Sequence, residues 1–112
     1  MNNPKYTKYK DKAGQYRFNL KAENGEIVLH SEGYISSHSC DNGIASVRVN
    51  SPVESRYERK TATNGQLYFV LKAGNYEIIG TSEQYSSSAS REIGIAAVMR
   101  VGPKSPVEDL TQ

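Results

Sequence analysis

The chain repeats one segment, GQYRFNLKAENGEIVLHSEGYISSHSCDNGIASVRVNSP at Gly14–Pro52, in a second copy at Gly65–Pro103. The offset between the copies is 51 residues throughout, without insertion or deletion, and the register extends back to Tyr6 and Tyr57. About twenty of the aligned positions are identical. A constant period of this length indicates a duplicated structural unit, so the fold is derived from the repeat.

The length of the chain favours two repeats that share one core. Each repeat has about fifty residues, and a unit of that size buries too little surface to be more than marginally stable by itself. The whole chain has 112 residues, which is ordinary for one domain. We therefore expect a single domain over 1–112, made of repeat 1 (6–55) and repeat 2 (56–112). We expect this chain to act as a monomer that resembles a dimer within one polypeptide.

Charge and composition narrow the classes of partner and compartment. The chain has 14 Lys and Arg against 12 Asp and Glu, a net charge of +2, which argues weakly against a dedicated nucleic-acid or membrane-surface protein. Cys40 is the single cysteine, so an intramolecular disulfide is excluded and a reducing compartment fits best. The polar N-terminus is unlike a signal peptide, and no apolar run is long enough to span a bilayer. We expect a cytoplasmic protein without a membrane partner.

The first part of each copy predicts β-strands. Apolar side chains stand at every second position of YRFNLKA (16–22) and of its counterpart LYFVLKA (67–73). Strict period-two alternation is typical of a half-buried strand. Turn residues flank these segments, among them Asn24-Gly25 and Asn64-Gly65, which suit tight hairpins. Each copy therefore predicts strands joined by short turns.

Two further strands flank the alternating one. Residues 6–10 read as a short, polar first strand, a composition typical of a sheet edge. Residues 26–31 and 77–82 have adjacent apolar side chains, which favours a central strand covered on both faces. The motif Ser-Pro-Val-Glu after the first repeat returns at 105–108, where it predicts a last edge strand near the C-terminus.

The second part of each copy predicts a helix. Ser36 or Ser37 is a suitable N-cap, as is Ser87 or Ser88 in the second copy, and the acidic residues that follow suit the first turn. One face of each helix is apolar, and Ser-Pro or Gly-Pro ends it. The acidic residues are Asp41 and Glu92, and the apolar faces consist of Cys40, Ile44 and Val47, and of Ile95, Val98 and Met99.

A glycine interrupts each predicted helix at the same place. Gly43 and Gly94 both precede an Ile-Ala pair. Glycine inside a helix costs about 1 kcal/mol relative to alanine, so its presence in both copies indicates an offsetting gain. We expect each helix to cross the sheet or its sister helix there, too closely for a Cβ. The alternative is that each helix begins only at its glycine.

The repeated motifs make the resemblance specific. The chain resembles the YegP-like family of small tandem-repeat proteins, whose cellular role is uncharacterised. The match is carried by FNLKAENGEI and FVLKAGNYEI, by the two Ser-Glu-x-Tyr motifs, by GIASV and GIAAV, and by RYERK at 56–60. The resemblance implies a β-β-β-α-β unit that is present twice and arranged about a pseudo-twofold axis. The implied fold class is α+β, with one antiparallel sheet packed with two helices. It further implies that the C-terminal strands are exchanged between the halves.

Three positions depart from the family pattern. Lys8 stands where the family usually has an apolar residue, and Tyr76 and Ile93 replace the residue types found at Gly25 and Asn42. These departures concern the local turn and the helix start of the second repeat, while the fold expectation stands.

Catalytic and metal-binding patterns are few. His30 and His38 are the only histidines, too few with one thiol for the usual Cys/His metal site, so neither a metal nor a cofactor is expected. His38 near Cys40 at a helix start would lower the thiol pKa, but a cysteine on an apolar helix face is more often a small hydrophobe. Phosphate loops and nucleophile elbows are absent. Catalysis would need a cleft at the seam between repeats, and we do not expect an enzyme.

Two groups of residues remain as candidates for function. The repeated Ser-Glu-x-Tyr motif suits backbone hydrogen bonding and a Tyr covering the core edge, with a catalytic use as the alternative. If both helices lie on one side, the other face of the sheet carries cations beside an aromatic ring, which could contact phosphate and a stacked base. We expect a non-catalytic interaction or structural module, with a protein as its partner; the alternative is nucleic-acid binding through Arg17, Asn19, Lys21, Tyr68 and Lys72.

Overall fold

A computed structural model describes all residues, 1–112, as seven strands and two helices. Repeat 1 contributes three strands and a helix, repeat 2 contributes four strands and a helix, and a 3₁₀ turn at Glu54–Arg56 joins the two repeats. The elements in chain order are β1 (Lys5–Lys10), β2 (Tyr16–Lys21), β3 (Ile27–His30), α1 (Ser37–Asn50), β4 (Tyr57–Thr61), β5 (Leu67–Lys72), β6 (Ile78–Thr81), α2 (Ser88–Val101) and β7 (Val107–Asp109).

All seven strands form one sheet with the order β4-β5-β6-β3-β2-β1-β7. The two meanders meet at β3 and β6, where His30 pairs with Thr81. Equivalent pairs recur at the 51-residue offset, such as Tyr6 with Leu20 in the first meander, and both meanders have a register shift at the same place. The predicted α+β fold with a pseudo-twofold arrangement is confirmed. The sheet is antiparallel except for β7, which runs parallel to β1.

The alternation seen in the sequence places one side of β2 and β5 in the core. Phe18, Leu20, Phe69 and Leu71 have no exposed surface. Since successive side chains leave opposite faces of a strand, their neighbours point away from the helices. The third strand of each repeat is central, as predicted. In repeat 1 the adjacent Val28 and Leu29 are both buried, but in repeat 2 the strand is not covered on both faces, because Ile78 is 45% exposed.

The helices begin where the serines predict. Ser36 is the N-cap of α1 and accepts a hydrogen bond from the backbone of Ser39, and Ser87 caps α2 in the same way. The predicted acidic first turns are wrong, since neither first turn contains an acidic residue. Asp41 and Glu92 lie one turn further on and reach down to cations on the first strand of their own repeat.

One contiguous core joins the repeats. Sixteen buried apolar residues from both repeats form a single cluster. Helix α1 packs on β2 of its own repeat and on β5 and β6 of the other, while α2 packs on β5 and β3. At the seam, Leu29 is fully buried over Gly80, its own counterpart in repeat 2, and a Cβ at Gly80 would lie only 2.6 Å from Leu29 Cγ. Each helix therefore needs strands from both halves of the chain.

The close approach predicted at the helix glycines is present. A Cβ on Gly43 would lie 2.8 Å from Tyr34 Cζ and 3.1 Å from Phe18 Cε2, and would be closer still to the Tyr34 hydroxyl. Gly94 has the same surroundings in the second repeat, formed by Tyr85 and Phe69. Each helix continues through its glycine, so the alternative of a helix that starts there is wrong.

We expect Gly43→Ala and Gly94→Ala each to lower the free energy of unfolding by roughly 1 kcal/mol. Overpacking costs about 1–3 kcal/mol, and the better helix propensity of alanine returns about 1 kcal/mol of that. Urea denaturation followed by circular dichroism measures the change. Ala45→Gly, at an exposed position of the same helix, is the matched control for propensity. If Gly43→Ala stabilises the chain by as much as Ala45→Gly destabilises it, the close approach has no energetic consequence.

The prediction that β1 is an edge strand is wrong, whereas the predicted C-terminal strand is confirmed. β7 crosses from repeat 2 and pairs with β1, so that Tyr6 faces Val107 and Lys8 faces Asp109. Of the two strand exchanges that the resemblance implies, only that of β7 takes place, because the chain after α1 turns through Glu54–Arg56 and continues directly into β4.

Neither helix has the length and the apolar character that a membrane span requires.

Candidate functional site

The face of the sheet opposite the helices, here called the outer face, carries all the binding residues predicted from the sequence. These residues lie on β2 and β5 and are half-buried. The strand order puts β3 and β6 between them, which separates the two groups by roughly 14 Å at the usual spacing of neighbouring strands. The group on β2 consists of Arg17, Asn19 and Lys21, and the group on β5 of Tyr68 and Lys72.

Residues that the sequence reasoning missed fill the gap between these groups. Direct pairing places Asn19 beside His30, His30 beside Thr81, and Thr81 beside Val70, so that one row crosses the four central strands. The missed residues, His30 and Thr81, hold equivalent positions in the two repeats. Their alternation with core residues on β3 and β6 is the signal that places them on this face.

An open depression of about 560 Å³ lies in the middle of the outer face. Tyr68 is the only predicted residue that lines it, and the remaining lining comes from the seam and from the segment after β6. The side chains can donate and accept hydrogen bonds, and the Tyr68 ring offers the one aromatic surface. The other lining residues are His30, Thr81, Ser82, Glu83 and Gln84.

Ion pairs neutralise most cations around this depression. Arg17 Nε lies 2.6 Å from Asp11 Oδ2, and this contact lowers the pKa of the Asp11 carboxyl. Lys72 Nζ lies 2.5 Å from Glu58 Oε1, and its hydrogen bond lowers the pKa of Glu58. Lys21 forms no ion pair with any acidic residue of the chain. The outer face therefore has a polar centre in which Glu83 is the one acidic side chain, and a rim in which most charges are paired.

The Ser-Glu-x-Tyr motifs have structural roles. Ser31 Oγ accepts a hydrogen bond from the buried backbone N–H of Phe18 at 2.9 Å and donates one to the carbonyl of Glu32 at 2.8 Å. The Tyr34 ring stacks on Phe18, with centroids 6.4 Å apart and planes inclined by 12°. The second motif repeats both arrangements on Phe69. The serine satisfies a donor that burial would otherwise leave unpaired, and the tyrosine covers the edge of the core.

Cys40 is a buried thiol. It has no exposed surface, and burial raises its pKa, although the nearby Lys8 ammonium acts in the opposite direction. His38 is exposed on the surface of the helix. The arrangement fits the interpretation of Cys40 as a small hydrophobe. No three His, Cys, Asp or Glu side chains are grouped so that they could hold a metal ion.

Comparison with known proteins identifies the family. The family model for a domain of unknown function, DUF1508, matches the chain twice, at residues 11–58 and 62–109. The UPF0339 protein YegP of Yersinia pestis is 57% identical over 102 residues, which are 91% of this chain and 91% of that protein. The chain belongs to the UPF0339 family. Each DUF1508 unit covers most of one repeat, and the second unit contains all of β7.

Solved structures of family members have the same fold. The solution NMR structure of yegP from Escherichia coli, described as a protein of unknown function, has a TM-score of 0.92 and 50% identity, covering 99% of this chain and 96% of that one. The solution NMR structure of a UPF0339 protein from Shewanella oneidensis has a TM-score of 0.89 and 48% identity, covering 96% and 91%. The family is uncharacterised in function, so the comparisons establish architecture and relationship.

Proposed function

We propose that this UPF0339 chain is a non-catalytic interaction module that holds a protein partner on its outer face, around the central depression. The observation that carries the proposal is the one-sided covering of the sheet: both helices lie on one face, and the other presents a polar centre, with Glu83 as its one acidic side chain, inside a charged rim. Protein interfaces have this anatomy, with charges depleted at the centre, tyrosine enriched there, and a polar rim. Tyr68 is the central aromatic anchor.

The chemistry of the outer face favours a protein over a nucleic acid. A phosphate backbone binds through free cations, and here Arg17 and Lys72 already face the carboxylates of Asp11 and Glu58. The centre instead offers hydroxyl, imidazole and amide groups that can pair with the polar groups of a protein surface, and its one charged side chain, Glu83, is a carboxylate that repels phosphate. The single free thiol of Cys40 fits a reducing compartment, so the partner is sought in the cytoplasm and the chain acts there as a monomer.

The test uses a photo-crosslinking amino acid in place of Tyr68, with the same amino acid in place of Ile93 as the control. Ile93 lies on α2, on the helix side, and is 72% exposed. In cells that express the full chain, we expect a crosslinked protein from position 68 and none from position 93. Crosslinks from both positions, or from neither, would contradict the proposal.

A matched pair of substitutions ties the capture to the depression. Thr81→Arg places a long cation in its lining, and we expect it to reduce the crosslinked product at least about tenfold, because a buried unpaired charge opposes binding. Ala96→Arg adds the same charge at an exposed position of α2, on the helix side, and should leave the product unchanged. If Thr81→Arg instead raises the affinity for labelled single-stranded RNA at low salt, and Lys21→Glu abolishes it, the nucleic-acid alternative replaces this proposal.

A further inference from the structure

The pseudo-symmetry of the sheet is incomplete at one edge. In repeat 1, the first strand β1 is covered by β7, which continues from the other repeat. Its counterpart β4 pairs with β5 only, so it ends the sheet. Lys8 of β1 has a side chain that is 3% exposed, whereas Arg59, at the equivalent position of β4, is 36% exposed. The edge of β4 is the place where a strand is present in one half and missing in the other.

The backbone of β4 presents free groups at Arg59 on this edge, whereas the N–H of Tyr57 already donates to the carbonyl of Glu54. On β1 the N–H of Tyr6 donates to the carbonyl of Pro106, and the carbonyl of Lys8 accepts from the N–H of Leu110. In antiparallel pairs, residues whose groups point outward alternate with residues that bond the neighbouring strand. The residue equivalent to Lys8, Arg59, therefore points its N–H and carbonyl away from β5. Unpaired groups of this kind are a template for strand addition.

The side chains on the covered edge show which sequence this geometry accepts. Lys5 Nζ lies 2.8 Å from Glu108 Oε1, so β7 supplies a carboxylate on the outer face. Lys8 Nζ lies 2.8 Å from Asp41 and 3.8 Å from Asp109 Oδ2, so the strand supplies a second carboxylate on the helix side. Two consecutive acidic residues of β7 thus face two cations of β1.

The open edge keeps the cations and lacks the acidic strand. Arg59 repeats the helix contact, with Nε and Nη2 at 2.7 and 2.6 Å from the carboxylate of Glu92. Where Lys8 has Asp109, Arg59 has only Glu54. Arg59 Nη2 lies 3.3 Å from Glu54 Oε1, and the Glu54 side chain is 64% exposed. Arg56, the counterpart of Lys5, forms no ion pair, and its Nε is buried without a hydrogen-bond partner. The charges left unsatisfied on this edge are positive.

We propose that the free edge of β4 binds an extended acidic segment of a partner protein, which pairs in parallel with the strand around Arg59 and brings carboxylates to Arg56 and Arg59. The exposed Glu54 carboxylate occupies part of this position and competes with the incoming segment. The site lies on the sheet edge and does not involve the central depression, so either proposal can fail without the other.

The probe is an acetylated peptide, SPVEDLTQ, with the sequence of the strand that covers β1. It is titrated into the ¹⁵N-labelled full chain and followed by NMR. We expect saturable shifts of the β4 amides, centred on Arg59, and binding weaker by at least about tenfold for the neutral peptide SPVQNLTQ. Shifts centred instead on β1 would mean exchange with the chain's own β7 and would overturn the proposal. Absence of saturable shifts would overturn it as well.

Two variants separate the edge site from general electrostatics. Glu54→Gln removes the competing carboxylate, and we expect it to tighten peptide binding by about threefold or more. Glu32→Gln removes one negative charge at an exposed position outside β4 and should leave the affinity within about 1.5-fold. An equal effect of both variants, or no effect of Glu54→Gln, would contradict the proposal. A gain in binding cannot arise from a variant that merely fails to fold.

Discussion

A fragment ending at residue 55 is expected to lose cooperative folding. Repeat 1 alone keeps β1, β2, β3 and α1 but loses β7 from the edge of β1 and loses β5 and β6 from under α1. Leu29, fully buried in the intact chain, would lose its contact with Gly80. A unit of about fifty residues buries only about 60% of the surface of its unfolded chain, which leaves it marginal even without these losses.

Thermal melting by circular dichroism and the dispersion of the NMR spectrum measure the result. We expect a non-cooperative melt and poorly dispersed amides for residues 1–55 at low concentration. The control mixes this fragment with residues 56–112, which together restore every strand of the sheet, and there we expect dispersion to return. A well-dispersed, cooperatively melting monomer from residues 1–55 alone would contradict the shared core, and with it the expectation of one domain over 1–112.

Features that depend on one repeat could be predicted from the sequence. The alternation around Phe18 and Phe69, the capping serines and the helix glycines each rest on local periodicity or on an unusual residue kept in both copies. The requirement for a glycine inside the helix is local as well, because Gly43 lies against Tyr34, nine residues earlier in the same repeat. The duplication strengthened each of these predictions, since two copies report the same requirement.

Features that depend on how the repeats differ could not be predicted in this way. Lys8 was interpreted as part of a polar edge strand, but it is polar because β7 and α1 bring Asp109 and Asp41 to it from distant parts of the chain. The central depression was missed because β3 and β6 become neighbours only when the repeats assemble. For the same reason the residues predicted as one binding group form two, on strands that the assembly keeps apart.

Alkaline pH is expected to unfold the chain through two buried tyrosines. Tyr6 has no exposed surface and its hydroxyl donates to the carbonyl of Gly102 at 2.6 Å, while Tyr57, 7% exposed, donates to the carbonyl of Ser51 at 2.7 Å. Both acceptors are C-cap residues of the helices, where a tyrosinate would meet the negative end of the helix dipole. Burial raises the pKa of both hydroxyls well above the ordinary value near 10.

The sign and size of the effect follow from linkage. Because the pKa of each tyrosine is higher in the folded chain, its stabilisation is fully present below pH 10 and is lost as the pH rises further. Each tyrosine then lowers the free energy of unfolding by about 1.4 kcal/mol per pH unit. The two tyrosines together therefore lower it by about 5 kcal/mol between pH 10 and pH 12. This loss is a large part of the stability of an ordinary domain. Urea denaturation at a series of pH values measures it.

The variant Tyr6→Phe/Tyr57→Phe separates these hydroxyls from the other groups that titrate in this range. Burial also raises the pKa of Cys40, Tyr34 and Tyr85, so part of the alkaline slope remains in the variant. At pH 7 the variant should be less stable by about 2–3 kcal/mol, because each phenylalanine leaves a buried helix-end carbonyl without its donor. Above pH 10 the fall in stability with pH should be smaller in the variant than in the unsubstituted chain, and the two slopes should differ by about 3 kcal/mol per pH unit. The stability curves of the variant and of the unsubstituted chain should therefore cross near pH 11. Parallel curves would show that neither hydroxyl is held in its neutral form by the fold.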